Sequence, residues 1–385
     1  MKPITLDEIR LAGALDCDVT DDGIILRRLP GWTRHQLSDI QLALMVSMPA
    51  GVRLEFRTDA TDVELDVMLT LLQINDRQLK PAAFDLVVNG ELESSVATTE
   101  GTRILYDFFT DNVEFEFGQP TTISFSGLEA GGMASVEVWL PQDCVVELRE
   151  IRVSDGATVS APATARPRWV HHGSSISHCL EASQPTGTWP AVTARLAGVD
   201  LQNLAFAGQC MLDQMVARTI RDLPADFISI KAGINIVNGD TMRERTFAPA
   251  LHGFLDTVRD GHPATPIALI TPIICPVVEE HAGPTILGRD ERYRVAPRAA
   301  ELASGALTLR RIREIAAEVV ESRRNAGDQY LHLVNGLDLF GPDDVGELYD
   351  GLHPTSEGYR QMGRRVHELL FGDGRPFRAA EAGGQ

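Results

Sequence analysis

The sequence has few basic residues for its acid content: 35 Lys and Arg stand against 54 Asp and Glu, for a formal charge of −19. A surface of that sign repels phosphate backbones and anionic headgroups at long range. No block of Lys and Arg reverses it locally, which argues against nucleic acid and membrane surfaces as partners. No run of about eighteen apolar residues occurs, and the N-terminus, MKPITLDEIRLAGALDCDVTDDG, lacks a basic-then-apolar signal pattern. A cytoplasmic location is the expectation. Cysteine is sparse: Cys17, Cys144, Cys179, Cys210 and Cys275 are odd in number and contain no CxxC pair. That suits a reducing compartment better than a disulfide or zinc framework. Internal repeats and low-complexity segments are also lacking.

What is present is enough apolar residue, 44% of a 385-residue chain, to fill two cores. From about residue 50 to 153 polar and apolar residues alternate, as in VRLEFR, VELDVML, FDLVVNG, VEFEF, SVEVWL and CVVELREIRV. Period two denotes strands with one wet and one buried face, and Asn89-Gly90 is a hairpin turn. Residues 1–153 are therefore expected to form an antiparallel β-sandwich of jelly-roll type. The stretch SDGATVSAPATARPR, 154–168, breaks the alternation and is expected to be a linker.

Beyond it the pattern changes kind. Short apolar runs, RWVHHG, VDLQNLAF, DFISIKAG, PIALITPII and QYLHLVNG, alternate with helical stretches from TWPAVTARLAG to SEGYRQMGRRVHELLFG. Strand, helix, strand at this spacing gives right-handed crossovers and a parallel sheet covered on both faces over 169–372. A frayed tail, 373–385, is expected to follow.

Ligands of open parallel sheets bind beyond the carboxyl ends of the strands. Those ends here carry Gly173-Ser174-Ser175-Ile176-Ser177, then Asn203 to Gly208, then Gly233-Ile234-Asn235, with Asp350-Gly351-Leu352-His353-Pro354 before the last helix. A hydroxyl, a glycine with an approachable N–H, an amide, and an Asp and His from one loop are the parts needed for acyl transfer. Imidazole removes the proton that keeps a serine weakly nucleophilic. Asp350 is placed to accept the Nδ1–H of His353, leaving Nε2 for the serine. Gly208, the serine's own N–H and the Asn235 amide would answer the oxyanion. Each piece alone has an ordinary alternative: a solvated loop, a plain turn, a helix cap, a surface ion pair. These residues do not choose among Ser174, Ser175 and Ser177.

As a set, the four blocks resemble those of the SGNH, or GDSL, hydrolase superfamily over roughly 168–372. The resemblance implies a flavodoxin-like α/β/α sandwich. It also implies Ser175 as nucleophile, Ser175, Gly208 and Asn235 as oxyanion donors, His353 as general base and Asp350 as its orienter. Two positions depart from the pattern: Ser174 stands where the family has Asp, and Ile236 where many members have Asp. No Gly-x-Ser-x-Gly elbow surrounds these serines, which argues against an ordinary α/β-hydrolase.

Other residues near the blocks invite weaker readings. His171, His172 and His178 lack the partners of a metal cluster and are expected to be hydrogen-bonded strand-end residues; no cofactor is implied, since triad chemistry needs neither metal nor nucleotide. Lys231 is expected to pair with a neighbouring acid. Trp189, Gln209, Met211 and Cys275 are candidate substrate-pocket residues. Acyl-serine chemistry ends in hydrolysis or transfer according to the acceptor. A sandwich ahead of an SGNH domain resembles carbohydrate acetyl esterases. In length, layout and the wording of its blocks (HGSSISHC, NLAFAGQCMLD, KAGINIVNG, DGLHPTSEGY) the chain also resembles SGNH-type acyltransferases of bacterial polyketide tailoring that add a salicylyl group. That second resemblance implies an aryl-CoA thioester as donor and a polyketide hydroxyl as acceptor, and transfer is the expectation. A non-catalytic sugar-binding module is a further alternative.

Overall fold

A computed structural model describes residues 1–37, 39–75, 77–128, 132–162 and 166–378. The chain divides into two compact units that are not consecutive in sequence. The first comprises Met1–Arg166 with Ala182–Gly187 and Asp200–Asn203, and the second takes the remaining residues through Gln385.

The first unit is a sandwich of an eight-stranded and a six-stranded sheet. Its longest strand, Asp62–Ile74, shows why the alternation specifies a sheet. Val63, Leu65, Val67 and Leu69 are fully buried and Leu71 nearly so, while the residues between them stay partly exposed. Each such side chain contributes about 1.5–3 kcal/mol of burial as an upper estimate. Among the described residues pairing in this unit is antiparallel except along one stretch, where Thr70–Ile74 of this strand runs parallel to Thr102–Tyr106. The Asn89-Gly90 turn joins Ala82–Val88 to Glu91–Thr98 with both turn residues at positive φ.

Three features differ from the sequence reading. In the six-stranded sheet four charged residues of the alternation are not wet: Arg53, Glu55, Asp85 and Glu137 are all buried. The reason is pairing. Arg53 bonds Glu55 and Asp200, its guanidinium lies 4.9 Å from the centroid of the Trp139 ring, and Asp85 accepts from the backbone N–H and hydroxyl of Thr186. The expected linker is also part of this unit, since Val159–Ser160 forms a strand against Arg57–Thr58 and Arg166 pairs with Glu55 and Glu137. Its residues 163–165 lie outside the described residues. The expected tail is anchored at its start, because Phe377 is buried and stacks on Phe227, 5.2 Å between ring centroids. Its residues 379–385 lie outside the described ones.

A five-stranded sheet follows in the order Asp200–Ala205, Arg168–Gly173, Phe227–Lys231, Ile267–Ile270, Leu331–Val334, and all of it except Asp200–Asn203 belongs to the second unit. In chain order this is 2-1-3-4-5, the flavodoxin-like arrangement, with its switch point between the first and third strands. The helices are amphipathic in the way the spacing predicts. In Leu309–Asn325, for example, Ile312, Ile315, Ala316, Val319 and Val320 are buried, and the Thr308 hydroxyl caps the start by accepting from Arg311 N–H. A small hairpin, Thr285–Leu287 with Tyr293–Val295, was not expected. Its strands are three residues long, too short to show a period. Among the described residues no helix is long and apolar enough to cross a membrane.

Candidate active site

The first and third strands end side by side, Gly173 opposite Lys231, and the chemistry gathers there. Gly173 leads into the four-residue helix Ser175–His178. A Cβ on Gly173 would lie 2.4 Å from Ser177 Oγ and 3.1 Å from His171 Nε2, so only glycine lets the chain turn this tightly. Ser177 is thereby folded back under the strand end, and Ser175 Oγ lies 2.9 Å from His353 Nε2.

His353 comes from the loop before Ser356–Phe371, a helix whose cap is the Thr355 hydroxyl accepting from Gly358 N–H. Its Nδ1 lies 2.7 Å from Asp350 Oδ2, which selects the tautomer with the proton on Nδ1. The other carboxylate oxygen of Asp350 accepts from the backbone N–H groups of Leu352 at 2.9 Å and His353 at 2.7 Å. Burial pushes the Asp350 carboxyl up, but the bonds from His353 and these N–H groups outweigh it and hold the group below its ordinary value. The structure therefore brings Ser175, His353 and Asp350 into one hydrogen-bonded relay.

Gly208 and Asn235 leave the neighbouring strand ends. Gly208 adopts φ +74°, which a side chain would strain. Asn235 is buried in the short helix Ile234–Asn238, capped by Gly233. Its Oδ1 accepts from Cys210 N–H at 3.0 Å, so its Nδ2 is the end left to donate. The Ser175 N–H, the first of its helix, has no intrahelical acceptor.

The three histidines behave as strand-end and turn residues. His171 Nδ1 meets Ser229 Oγ and His172 Nδ1 meets Leu204 O, each at 2.7 Å, and both rings are fully buried. Burial lowers both pKa values, that of His172 to about 4. His178 Nδ1 accepts from Ala207 N–H at 3.3 Å and so ties the serine's helix to the Gly208 turn. Among the described residues no group of three His, Cys, Asp or Glu could hold a metal ion.

Three expectations are corrected. Lys231 is buried near the thiols of Cys210 and Cys179 and the Arg313 guanidinium, with no ion pair to an acid among the described residues, and burial pushes its pKa down to about 8. Trp189 is not a pocket wall. It is fully buried, donates Nε1–H to Ile176 O and sets its ring against His171, as a core residue beneath the turn. Cys275 is likewise fully buried behind the Asp350 loop, its thiol facing Gly351 O at 3.5 Å and raised to about 12 by burial. Gln209 and Met211 are partly exposed beside Gly208, and Met211 Sδ accepts from the Thr241 hydroxyl.

Several residues escaped the sequence reading. Tyr293, on the small hairpin, meets the His353 ring edge-on at 5.9 Å between centroids, and its N–H donates to Asp350 O. Tyr349 stacks on the same ring at 6.3 Å. Glu181 Oε1 lies 3.8 Å from His353 Nδ1. Tyr349 directly precedes the Asp350 block, so adjacency was a usable signal; Tyr293, Glu181 and the Cys210 N–H had none.

Residues 172–361 match the GDSL-like lipase/acylhydrolase family, and residues 9–148 match the SsfX3 N-terminal domain. No curated protein matches the sequence. Among solved structures the chain is similar to the salicylyl-acyltransferase SsfX3 from a tetracycline biosynthetic pathway, at 28% identity, 94% of each chain covered and a TM-score of 0.79. It shares its fold with a family two carbohydrate esterase from Clostridium thermocellum (14% identity, 94% of this chain and 98% of that one, TM-score 0.60). An acetyl xylan esterase from Butyrivibrio proteoclasticus is similar at 11% identity, 96% of each chain and a TM-score of 0.53. The chain thus joins an SsfX3-type N-terminal domain to a GDSL-like lipase/acylhydrolase domain, and it is an SGNH-type enzyme of acyl transfer or ester hydrolysis.

Proposed function

We propose that the chain is a serine-dependent O-acyltransferase that moves an aromatic acyl group of salicylyl type from a CoA thioester to a hydroxyl of a polyketide. Ser175 Oγ attacks the thioester carbonyl while its proton passes to His353 Nε2. The oxyanion is answered by the N–H groups of Ser175 and Gly208 and by Asn235 Nδ2. Collapse expels CoA as its thiol, with the proton returned from His353. His353 then takes the proton of the acceptor hydroxyl, the alkoxide attacks the acyl-serine, and the ester leaves as Ser175 recovers its proton. Asp350 holds the imidazole and balances its charge. The 2.9 Å approach of His353 Nε2 to Ser175 Oγ supports the acyl-serine step. The likeness to SsfX3 along 94% of both chains carries the choice of transfer over hydrolysis. Tyr293 and Tyr349 around the imidazole suit a planar aryl group, since aromatic rings favour edge and offset contacts.

The test begins with intact mass after a fluorophosphonate probe, beside Ser175→Ala. One adduct that maps to Ser175 and is missing from the variant is expected. Salicylyl-, benzoyl- and acetyl-CoA are then offered with hydroxyl acceptors. Ester product supports transfer, whereas free acid alone, whatever the acceptor, replaces this reading with that of an esterase.

A further inference from the structure

His353 has a second carboxylate beside it. The chain leaving the Ser175–His178 helix turns sharply at Cys179, whose φ is +62°, and two residues later delivers Glu181 to the Nδ1 side of the imidazole. Glu181 Oε1 stands 3.8 Å from Nδ1, too far for a hydrogen bond, which Asp350 already makes at 2.7 Å. Its other oxygen accepts from the Tyr359 hydroxyl at 2.7 Å, and its backbone oxygen accepts from the Ser356 hydroxyl at 3.3 Å. Both partners belong to the helix Ser356–Phe371, and Tyr359 is fully buried. Glu181 is thus held in place by a helix rather than by His353 itself.

We propose that Glu181 is a positioning residue for His353, a second carboxylate that stabilises the imidazolium formed when Ser175 gives up its proton. The inference rests on the reading of Ser175 and His353 as the acting pair. A carboxylate at this distance without a shared proton interacts weakly with neutral imidazole and strongly with imidazolium, so its effect is concentrated where the ring is charged. Asp350 sets the tautomer and supplies one negative charge; Glu181 adds a second without competing for the proton. The titratable groups facing the ring include Asp350 from its own loop, Glu181, Tyr293 from the hairpin and Tyr349. Tyr359 backs Glu181, and Cys275 backs Asp350.

The experiment follows fluorophosphonate labelling of Ser175 against pH, a step in which Oγ bonds to phosphorus, fluoride leaves and His353 takes the proton. Removing the charge with Glu181→Gln disfavours imidazolium. The acidic limb of the profile is therefore expected to move down by on the order of one pH unit, and the plateau rate to fall about tenfold. Glu181→Asp, which keeps the charge, should keep the limb in place. Unfolding midpoints of the same proteins report any loss of fold. A Glu181→Gln limb that coincides with the unmodified chain overturns the proposal, even if the rate falls, because a merely structural role lowers rate without moving the limb. If the folded, unmodified protein gives no adduct on Ser175, the functional reading itself fails. The His353 imidazole titration followed by NMR in both proteins then decides Glu181 separately, and coincident titrations overturn its role.

Discussion

Both units bury ionisable side chains, and they treat them differently. In the first, Arg53 is fully buried and answered on every side: Glu55, Asp200, the Gly51 and Leu201 carbonyls, and the Trp139 ring. Arg28 is equally buried, and its guanidinium bonds the carbonyls of Met45, Met48 and Asn203, all within the same unit. Burial pushes Arg28 down to about 9, while the acids around Arg53 overcome burial and raise it. In the second unit the bonds run in one direction, from Asp350 through His353 to Ser175, and end on a hydroxyl. A polar network that closes on itself fixes a structure, whereas one that ends on a reactive atom is a device for chemistry.

The sharpest way to test that contrast is to cut each network once. Arg53→Ala removes the one fully buried cation between Glu55 and Asp200, which keep Arg10 as a partner, with Arg166 also on Glu55, and a loss of about 3 kcal/mol is expected in urea unfolding. The rate per folded molecule should be unchanged. Asn235→Ala should do the opposite. Loss of one oxyanion donor costs about 10²–10³ in kcat, or about 2.7–4 kcal/mol. Stability should drop by only about 1 kcal/mol, for the bond from Cys210 N–H. An Asn235→Ala protein that unfolds while keeping its rate would make Asn235 a structural cap, and the contrast would dissolve.

The same contrast explains what the sequence disclosed. Apolar spacing marked all five parallel strands and their long helices because each buries a continuous or one-sided apolar surface, as in Leu309–Asn325. The residues of the relay were legible as blocks because the sheet places successive strand ends at one edge. The charged face of the six-stranded sheet was misread, since Arg53, Glu55 and Glu137 look like any wet alternation until their partners arrive from far along the chain. Asp200 is the plainest case, 147 residues from Arg53. Trp189 and Cys275 were misplaced for the converse reason: adjacency to a motif does not say which side of the turn a side chain takes. Glu181 and Tyr293 reach His353 only through tertiary folding, and no local pattern announces them.

Acidification separates the two networks by a smaller amount. His172 is buried against Phe254, ring centroids 5.6 Å apart, with Nδ1 at Leu204 O and Nε2 facing the Cys210 thiol. Burial lowers its pKa from 6.5 to about 4 against the opposing pull of the Leu204 bond. Between those values the unfolded chain binds a proton that the folded chain refuses, so stability is full above about 6.5 and falls as pH drops toward 4. For this group alone the loss approaches about 3 kcal/mol at the acid end, and His171, lowered well below its ordinary value by burial, adds in the same direction. Asp200, held below its ordinary value beside Arg53 and Arg10, stays ionised through most of this window and adds little to the slope. Urea midpoints from pH 7 to 4 should therefore fall along a slope that His172→Asn flattens, since an amide retains a donor for Leu204 and does not titrate. A protein whose stability held to pH 4 and then collapsed would owe its acid sensitivity to the carboxylates of the closed network instead, and the neutral histidines beneath the active site would have no part in it.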